Sequence, residues 1–180
     1  MNSFGTSPLE LMACDAMLQG LAYIDEFTYS AAWIVGTPTA LGSLATVDVQ
    51  IQINSDSDFI VQEQNLSVIT VTTASPEDLH ECVSCPDLLL TIIKSGSGRE
   101  VMNQAQHVTN MLGNYWSAQF PGRKPVTALW QSNNTTTIRL QNRTTTAFDR
   151  IDIAFTGFKV FYQTNAAGQM GTRQSIFHAF

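Results

Sequence analysis

The stretch Val47-Asp48-Val49-Gln50-Ile51-Gln52-Ile53-Asn54 places a β-branched apolar residue at every second position and a polar one between. Successive side chains of a strand point to opposite faces, so this stretch reads as a strand with one face in a core and the other in water. The cluster Asn54-Ser55-Asp56-Ser57-Asp58 then turns the chain, because such side chains hydrogen-bond their own backbone. A period of two that ends in a turn predicts antiparallel β structure.

The same signals recur on both sides. Upstream, Phe27 to Val35 is aromatic and β-branched and stops at Gly36-Thr37-Pro38. Downstream, Phe59 to Val61 and Leu66 to Thr73 read as two strands. Asp87 to Lys94 carries Leu88, Leu89, Leu90, Ile92 and Ile93 without alternation, the mark of a strand covered on both faces. Ser75 to Pro86 is polar and turn-like, and Asn103 to Asn114 is irregular. Val126 to Gln131, Thr135 to Asn142 and Ile151 to Tyr162 are the remaining strands. In the last of them Ile151, Ile153 and Phe155 share one face, whereas Phe158, Val160 and Tyr162 share the other, with Gly157 at the change. That predicts a β-bulge in this strand at the glycine. Strands in this number, without alternating helices, predict a mainly β fold, an antiparallel β-sandwich of jelly-roll-like type.

The ends read differently. Ser7-Pro8-Leu9-Glu10 has the form of a capping box, and Leu9, Met12, Ala13 and Ala16 follow at helical spacing. This predicts a short helix from Pro8 to Gln19 ended by Gly20, or else an arm that orders only against a neighbour. Gln163 to Phe180 reads as an extended tail whose apolar end needs a partner surface. The expected organisation is an N-terminal helix or arm over 1–26, a sandwich domain over 27–162 and a C-terminal arm over 163–180.

Composition narrows the function classes. The 180 residues suit one domain. Only 13% are charged, against about 25% in typical globular domains, so the surface relies on Thr, Ser, Asn and Gln. That favours β structure and surfaces hidden in an assembly. A net charge of −6 argues against a general nucleic-acid binder, which needs clustered Lys and Arg. All nine basic residues lie from Lys94 onward, and twelve of the fifteen acidic ones lie between Glu10 and Asp87. Either the halves interleave and neutralise each other locally, or they form complementary surfaces that meet between subunits. No basic segment precedes an apolar stretch at the N-terminus, and no apolar run nears the ~18 residues of a membrane span. Cys14, Cys82 and Cys85 are too few for a secreted disulfide scaffold, so folding in a reducing cytoplasm is expected.

No group of residues makes a convincing catalytic or metal centre. His80-Glu81-Cys82-Val83-Ser84-Cys85 supplies up to three zinc ligands but no fourth; zinc or a loop disulfide compete there with ordinary reduced cysteines, and the last is favoured. His80, His107 and His178 lack a nucleophile elbow beside them. Asp56 and Asp58 could be calcium ligands, but a Ser-rich turn explains them. Ser95-Gly96-Ser97-Gly98 lacks the Gly-Lys-Ser/Thr ending of a phosphate loop. Trp33, Tyr115, Trp116 and Trp130 are compatible with a sugar-stacking platform, a core or an interface. No enzyme activity, cofactor or metal is expected.

Three segments in order carry a resemblance: Gln52 to Phe59; Leu89-Leu90-Thr91-Ile92 leading into Ser97-Gly98-Arg99-Glu100-Val101-Met102-Asn103; and Ile153-Ala154-Phe155-Thr156-Gly157-Phe158-Lys159-Val160-Phe161. Over about Val47 to Tyr162 the chain resembles the capsid decoration, or cement, proteins of tailed bacteriophages. The resemblance implies a β-sandwich made in the host cytoplasm that binds the outer surface of the capsid, with the major capsid protein and itself, as dimer or trimer, for partners. No nucleic acid or membrane is expected as a partner. Contacts are expected from Trp33, Trp116, Ile176, Phe177 and Phe180, none of them fixed by a family motif. The rival expectation is a carbohydrate-binding sandwich of a phage tail or fibre, which needs an exposed aromatic platform.

Overall fold

Four residues start the first element. Ser7 Oγ accepts from the Glu10 N–H at 3.2 Å while the Glu10 carboxylate accepts from the Ser7 N–H at 2.9 Å. This reciprocal capping box, with Pro8 in the first turn, opens α1 (Pro8–Leu18). Gly20 closes it at φ +69°, where a side chain would be strained. The Leu21 N–H reaches back to the Ala16 C=O at 2.8 Å and the Gly20 N–H to Met17 at 3.0 Å, a Schellman closure. Leu9, Ala13 and Ala16 are buried against the chain's own sheet, so this segment is a docked helix.

The computed structural model describes residues 7–34, 44–71, 80–82, 87–94, 104–108, 128–145, 148 and 150–177. Its strands are β1 (Ala22–Ile34), β2 (Thr46–Gln52), β3 (Asp58–Val71), β4 (His80–Cys82), β5 (Leu88–Lys94), β6 (Gln106–His107), β7 (Ala128–Trp130), β8 (Thr135–Asn142) and β9 (Arg150–Tyr162), followed by α2 (Arg173–Ile176). They form two antiparallel sheets. One runs β1-β9-β3, with the far edge of β3 shared by β7 at its start and β4 at its end; the other runs β2-β8-β5-β6. The chain is therefore the mainly β, antiparallel two-sheet fold expected from its alternation.

Two cores hold it together. Between the sheets, Val49, Ile51, Ile138, Leu140, Leu88, Leu90 and Ile92 face Tyr29, Phe59, Val61, Val68, Ile151, Ile153 and Phe155. Aromatic rings cross this layer in a chain: Phe27 to Tyr29 (4.8 Å between centroids), Tyr29 to Phe59 (4.8 Å), Phe59 to Trp130 (5.9 Å) and Trp130 to Phe155 (4.7 Å). The second core lies on the outer face of the first sheet, where Leu9, Ala13 and Ala16 of α1 meet Ala22, Ile60 and Val160 of the sheet and Ile176 and Phe177 at the C-terminal end. Each large apolar side chain so buried contributes about 1.5–3 kcal/mol.

Several strands depart from the sequence expectation: β1 begins at Ala22, ahead of the expected Phe27, and β4 and β6 form within the stretches Ser75 to Pro86 and Asn103 to Asn114 that read as turn-like and irregular. The two short strands after the Asp58 turn are one strand, β3, because its polar stretch is absorbed: Gln62 donates to Glu10 of α1 at 2.6 Å and Gln64 is buried. β5 is buried on its inner residues Leu88, Leu90 and Ile92, whereas Leu89 and Ile93 on the other face are only half-buried. The bulge is on the opposite strand from the one expected. β9 pairs with β1 without a slip from Arg150 to Tyr162, and the extra residue, Gln62, lies on β3 between Val61 and Glu63, facing Gly157 and Thr156. The apolar phase of β9 changes because its outer face is bare at one end and covered by the helices at the other.

Gly157 is needed where the bulge approaches: a Cβ there would stand 1.9 Å from the Ile60 carbonyl oxygen. A G157A substitution is expected to destabilise the fold by about 3 kcal/mol or more, since backbone must shift. G168A, at φ +78° but with open space around it, should cost only about 1 kcal/mol. Urea unfolding of the two variants checks the order.

Candidate functional site

The most concentrated polar chemistry among the described residues surrounds Asp58, which is 0% exposed at the first position of β3. Arg173, in the first turn of α2, reaches it through two parallel hydrogen bonds: Nε to Oδ2 and Nη2 to Oδ1, both at 2.6 Å. The Ser132 N–H donates to Oδ1 at 2.7 Å, and the Tyr162 hydroxyl donates to Oδ2. Arg173 also donates to Ser132 Oγ at 3.1 Å. Burial alone would raise the Asp58 carboxyl, but the hydrogen bonds from Arg173, Tyr162 and Ser132 outweigh it and hold the group below the usual carboxylate range. Burial and the hydrogen bond to Asp58 push the Tyr162 hydroxyl up. Hydrogen bonding to Asp58 raises Arg173 further.

This cluster is a clamp. Both Asp58 oxygens are taken by donors, so the carboxylate is committed to the fold; the Asp-x-Asp turn holds a structural anion at its second position and an exposed Asp56 at its first. Its effect is to fix the C-terminal segment. Gln163 donates to the Leu21 C=O at 2.9 Å, Thr164 bridges to Met170, and Gly171 passes so close that a Cβ would lie 2.0 Å from the Leu21 oxygen. Ile176 and Phe177 are then 6% and 1% exposed within the second core. These two side chains are interior to this chain, and the expectation that they face a partner is corrected. Anchoring of Arg173 places the apolar pair on a sheet face that the chain itself covers.

The remaining candidates fall as follows. Trp130 is in the aromatic chain of the core, and Trp33 is at register position Ile151 on β1. Trp116, Tyr115, Phe180, His178 and Cys85 lie outside the described residues. His80 and Cys82 are on β4, and His107, on β6, stands 3.4 Å from Asp87. No group of three metal-binding side chains occurs among the described residues. Among the described residues, opposite charges of the two halves meet inside the chain at Asp58 with Arg173 and at Asp48 with Arg139 at 2.9 Å.

What the sequence reading passed over is the outer edge of β1, with which no strand pairs among the described residues. Tyr23 and Phe27 are 51% and 37% exposed there, and Asp25, Glu26, Thr28 and Ser30 are exposed with them. The Lys159 ammonium lies 3.8 Å from the Phe27 ring centre, a cation–π contact that fixes the ring. Tyr23 packs on Phe161 at 6.0 Å. The signal was present in the run Ala22 to Ile34, thirteen residues without proline or glycine.

No family model and no curated protein matches the chain. Among solved structures it is similar to dimeric latent PorU from Porphyromonas gingivalis, at 9% identity and a TM-score of 0.30, over 76% of this chain and 13% of that one. The chain spans about an eighth of the length of that structure, and a likeness at this level carries no functional argument.

The clamp sets a dependence on pH. Asp58 has a folded pKa below its unfolded value of about 3.9, so its stabilisation is present above pH ~4 and is lost as pH falls through the folded value. Tyr162, raised above about 10, adds stability present below pH ~10 and lost as pH rises beyond it. R173M should cost about 3–5 kcal/mol by leaving the Asp58 carboxylate buried and unpaired, D58N should cost less because its partner Arg173 is a third exposed, and the double variant should recover part of the R173M loss. Urea midpoints from pH 2 to 11 test both statements.

Proposed function

We propose that this chain is a non-enzymatic structural protein that binds the outer surface of a tailed-phage capsid and strengthens contacts between major capsid protein subunits. The observation that carries the proposal is the strand order. With β4 set aside as an addition to the edge of β3, the sheets run β1-β9-β3-β7 and β2-β8-β5-β6. We infer from this order that a long antiparallel hairpin wraps round a barrel axis as two Greek keys, a jelly roll. Viral capsid and lectin domains use that wrapping, and the capsid role is proposed by analogy with them.

Two features support the reading. The outer face of the second sheet carries Gln50, Gln52, Thr135 and Thr137 around the Asp48–Arg139 pair, with half-buried Leu89 and Ile93 and with His107, 3.4 Å from Asp87, further along it, a surface suited to many weak contacts. The buried clamp ties the C-terminal segment to the sandwich, so docking uses preformed surfaces and loses little conformational freedom. Binding that favours the assembled lattice stabilises it by mass action. Self-association as a dimer or trimer would match the symmetry of a shell.

The exposed Tyr23 and Phe27 favour a second reading, a carbohydrate-binding sandwich of a tail or fibre, because such rings can stack on sugars. Particle stoichiometry separates the two. Copies in fixed ratio to the major capsid protein, distributed over the shell in electron micrographs, are expected. A few copies confined to the tail, together with glycan binding lost in Y23A, would overturn the capsid reading in favour of the second.

A further inference from the structure

β1 is the outermost strand of its sheet, and among the described residues no strand pairs with its free edge. It runs thirteen residues in unbroken register against β9. Protein edges are normally protected by charge, lysine above all, by proline, a bulge, shortness or a covering element. The run Ala22-Tyr23-Ile24-Asp25-Glu26-Phe27-Thr28-Tyr29-Ser30-Ala31-Ala32-Trp33-Ile34 is long and has no lysine, proline or bulge, and its only charges are the adjacent Asp25 and Glu26, which restrict the register of a partner strand. The opposite end of the sheet, by contrast, is closed by the three-residue strands β4 and β7.

The backbone phase of this edge follows from one hydrogen bond. Gln163 N–H donates to the C=O of Leu21, the residue opposite it when the β1–β9 register is extended by one step. Residues that exchange bonds in an antiparallel ladder alternate with those that do not. Odd residues of β1 therefore turn their N–H and C=O towards β9, and even residues, Ala22 to Ile34, turn theirs outward.

We infer that β1 pairs with β1 of a second copy of this chain, antiparallel about a two-fold axis at Thr28, to make one continuous sheet through both molecules. Three observations select this occupant and register. Thr28 is the midpoint of β1, so a dyad there overlaps all thirteen residues, and it is an outward-facing even residue, so the ladder closes with up to about fourteen hydrogen bonds. The two acidic residues oppose neutral ones: Asp25 meets Ala31 of the second copy and Glu26 meets Ser30. Registers centred on Asp25 or Glu26 would instead set carboxylate against carboxylate, which is unfavourable. Phe27 comes to lie opposite Tyr29 of the second copy, so an aromatic cross-strand pair forms where the single chain leaves Phe27 exposed. The inference supplies an interface for the self-association proposed above and rests on that part of the reading, not on placement on a capsid.

Sedimentation of the isolated chain tests it. The expected mass is twice the 19.8 kDa of one chain. T28K, which sets two ammonium groups against each other on the axis, should sediment at 19.8 kDa and, unlike the wild type, melt at a temperature independent of protein concentration, while keeping its β-sheet circular dichroism because the Thr28 side chain bonds the Thr156 hydroxyl at 3.1 Å on an exposed face. A second variant keeps the test independent of that substitution. With the three native cysteines replaced in a C14S/C82S/C85S background, T28C should form a covalent dimer on oxidation, because bonded antiparallel partners stand about 5.5 Å apart at Cα, within disulfide range. A wild-type chain that stays monomeric at all concentrations overturns the inference. So does a dimer that persists unchanged in T28K while T28C fails to cross-link. Either result leaves the capsid reading to its own particle measurement.

Discussion

The Asp58–Arg173 pair joins four parts of the chain that are far apart in sequence. Asp58 begins β3, Tyr162 ends β9, Ser132 turns the chain between β7 and β8, and Arg173 opens α2. A carboxylate with no exposure is costly to bury, and it is tolerated here because charged and neutral donors fill both its oxygens. The geometry leaves little choice of arrangement. If α2 shifts by a turn, the fork of the guanidinium no longer meets both oxygens, so the ion pair specifies position more than it adds stability.

From that fixed point the second core follows. Anchoring α2 brings Ile176 and Phe177 over Ile60 and Val160, and α1 closes the other side through Leu9, Ala13 and Ala16. The outer face of the first sheet is thereby covered at one end and left polar at the other, with Thr28 and Thr156 in contact on the bare part. The bulge at Gln62 belongs to the same design: it lets β3 change from pairing under the helices to pairing over the open face, and Gly157 gives it room. Among the described residues no strand pairs with the outer edge of β1, and this edge is the surface inferred above to be an interface.

Parts of this were legible from local chemistry. The capping box and Gly20 mark both ends of α1 because their hydrogen bonds are made within a few residues. Strand β8 coincides with the expected Thr135 to Asn142, and β2 with the alternation around Val49, because a period of two is written directly in one-sided burial. The glycine and the change of phase in β9 pointed to a bulge at the right level of the sheet but on the wrong strand. Which of two neighbours carries the extra residue depends on pairing, and pairing is not local.

The sequence by itself determined the class of structure and the position of most strands, since propensity, alternation and turn residues act over short range. It also determined that acidic and basic residues would be segregated along the chain. Tertiary structure decided that two of those charges, Asp58 and Arg173, would meet across 115 positions in a buried site, that Ile176 and Phe177 would fill the chain's own core, and that β1 would be left at an edge. The physical reason is common to all three: burial and partner choice are properties of surfaces brought together by the whole fold, and no window of sequence contains both sides of such a contact.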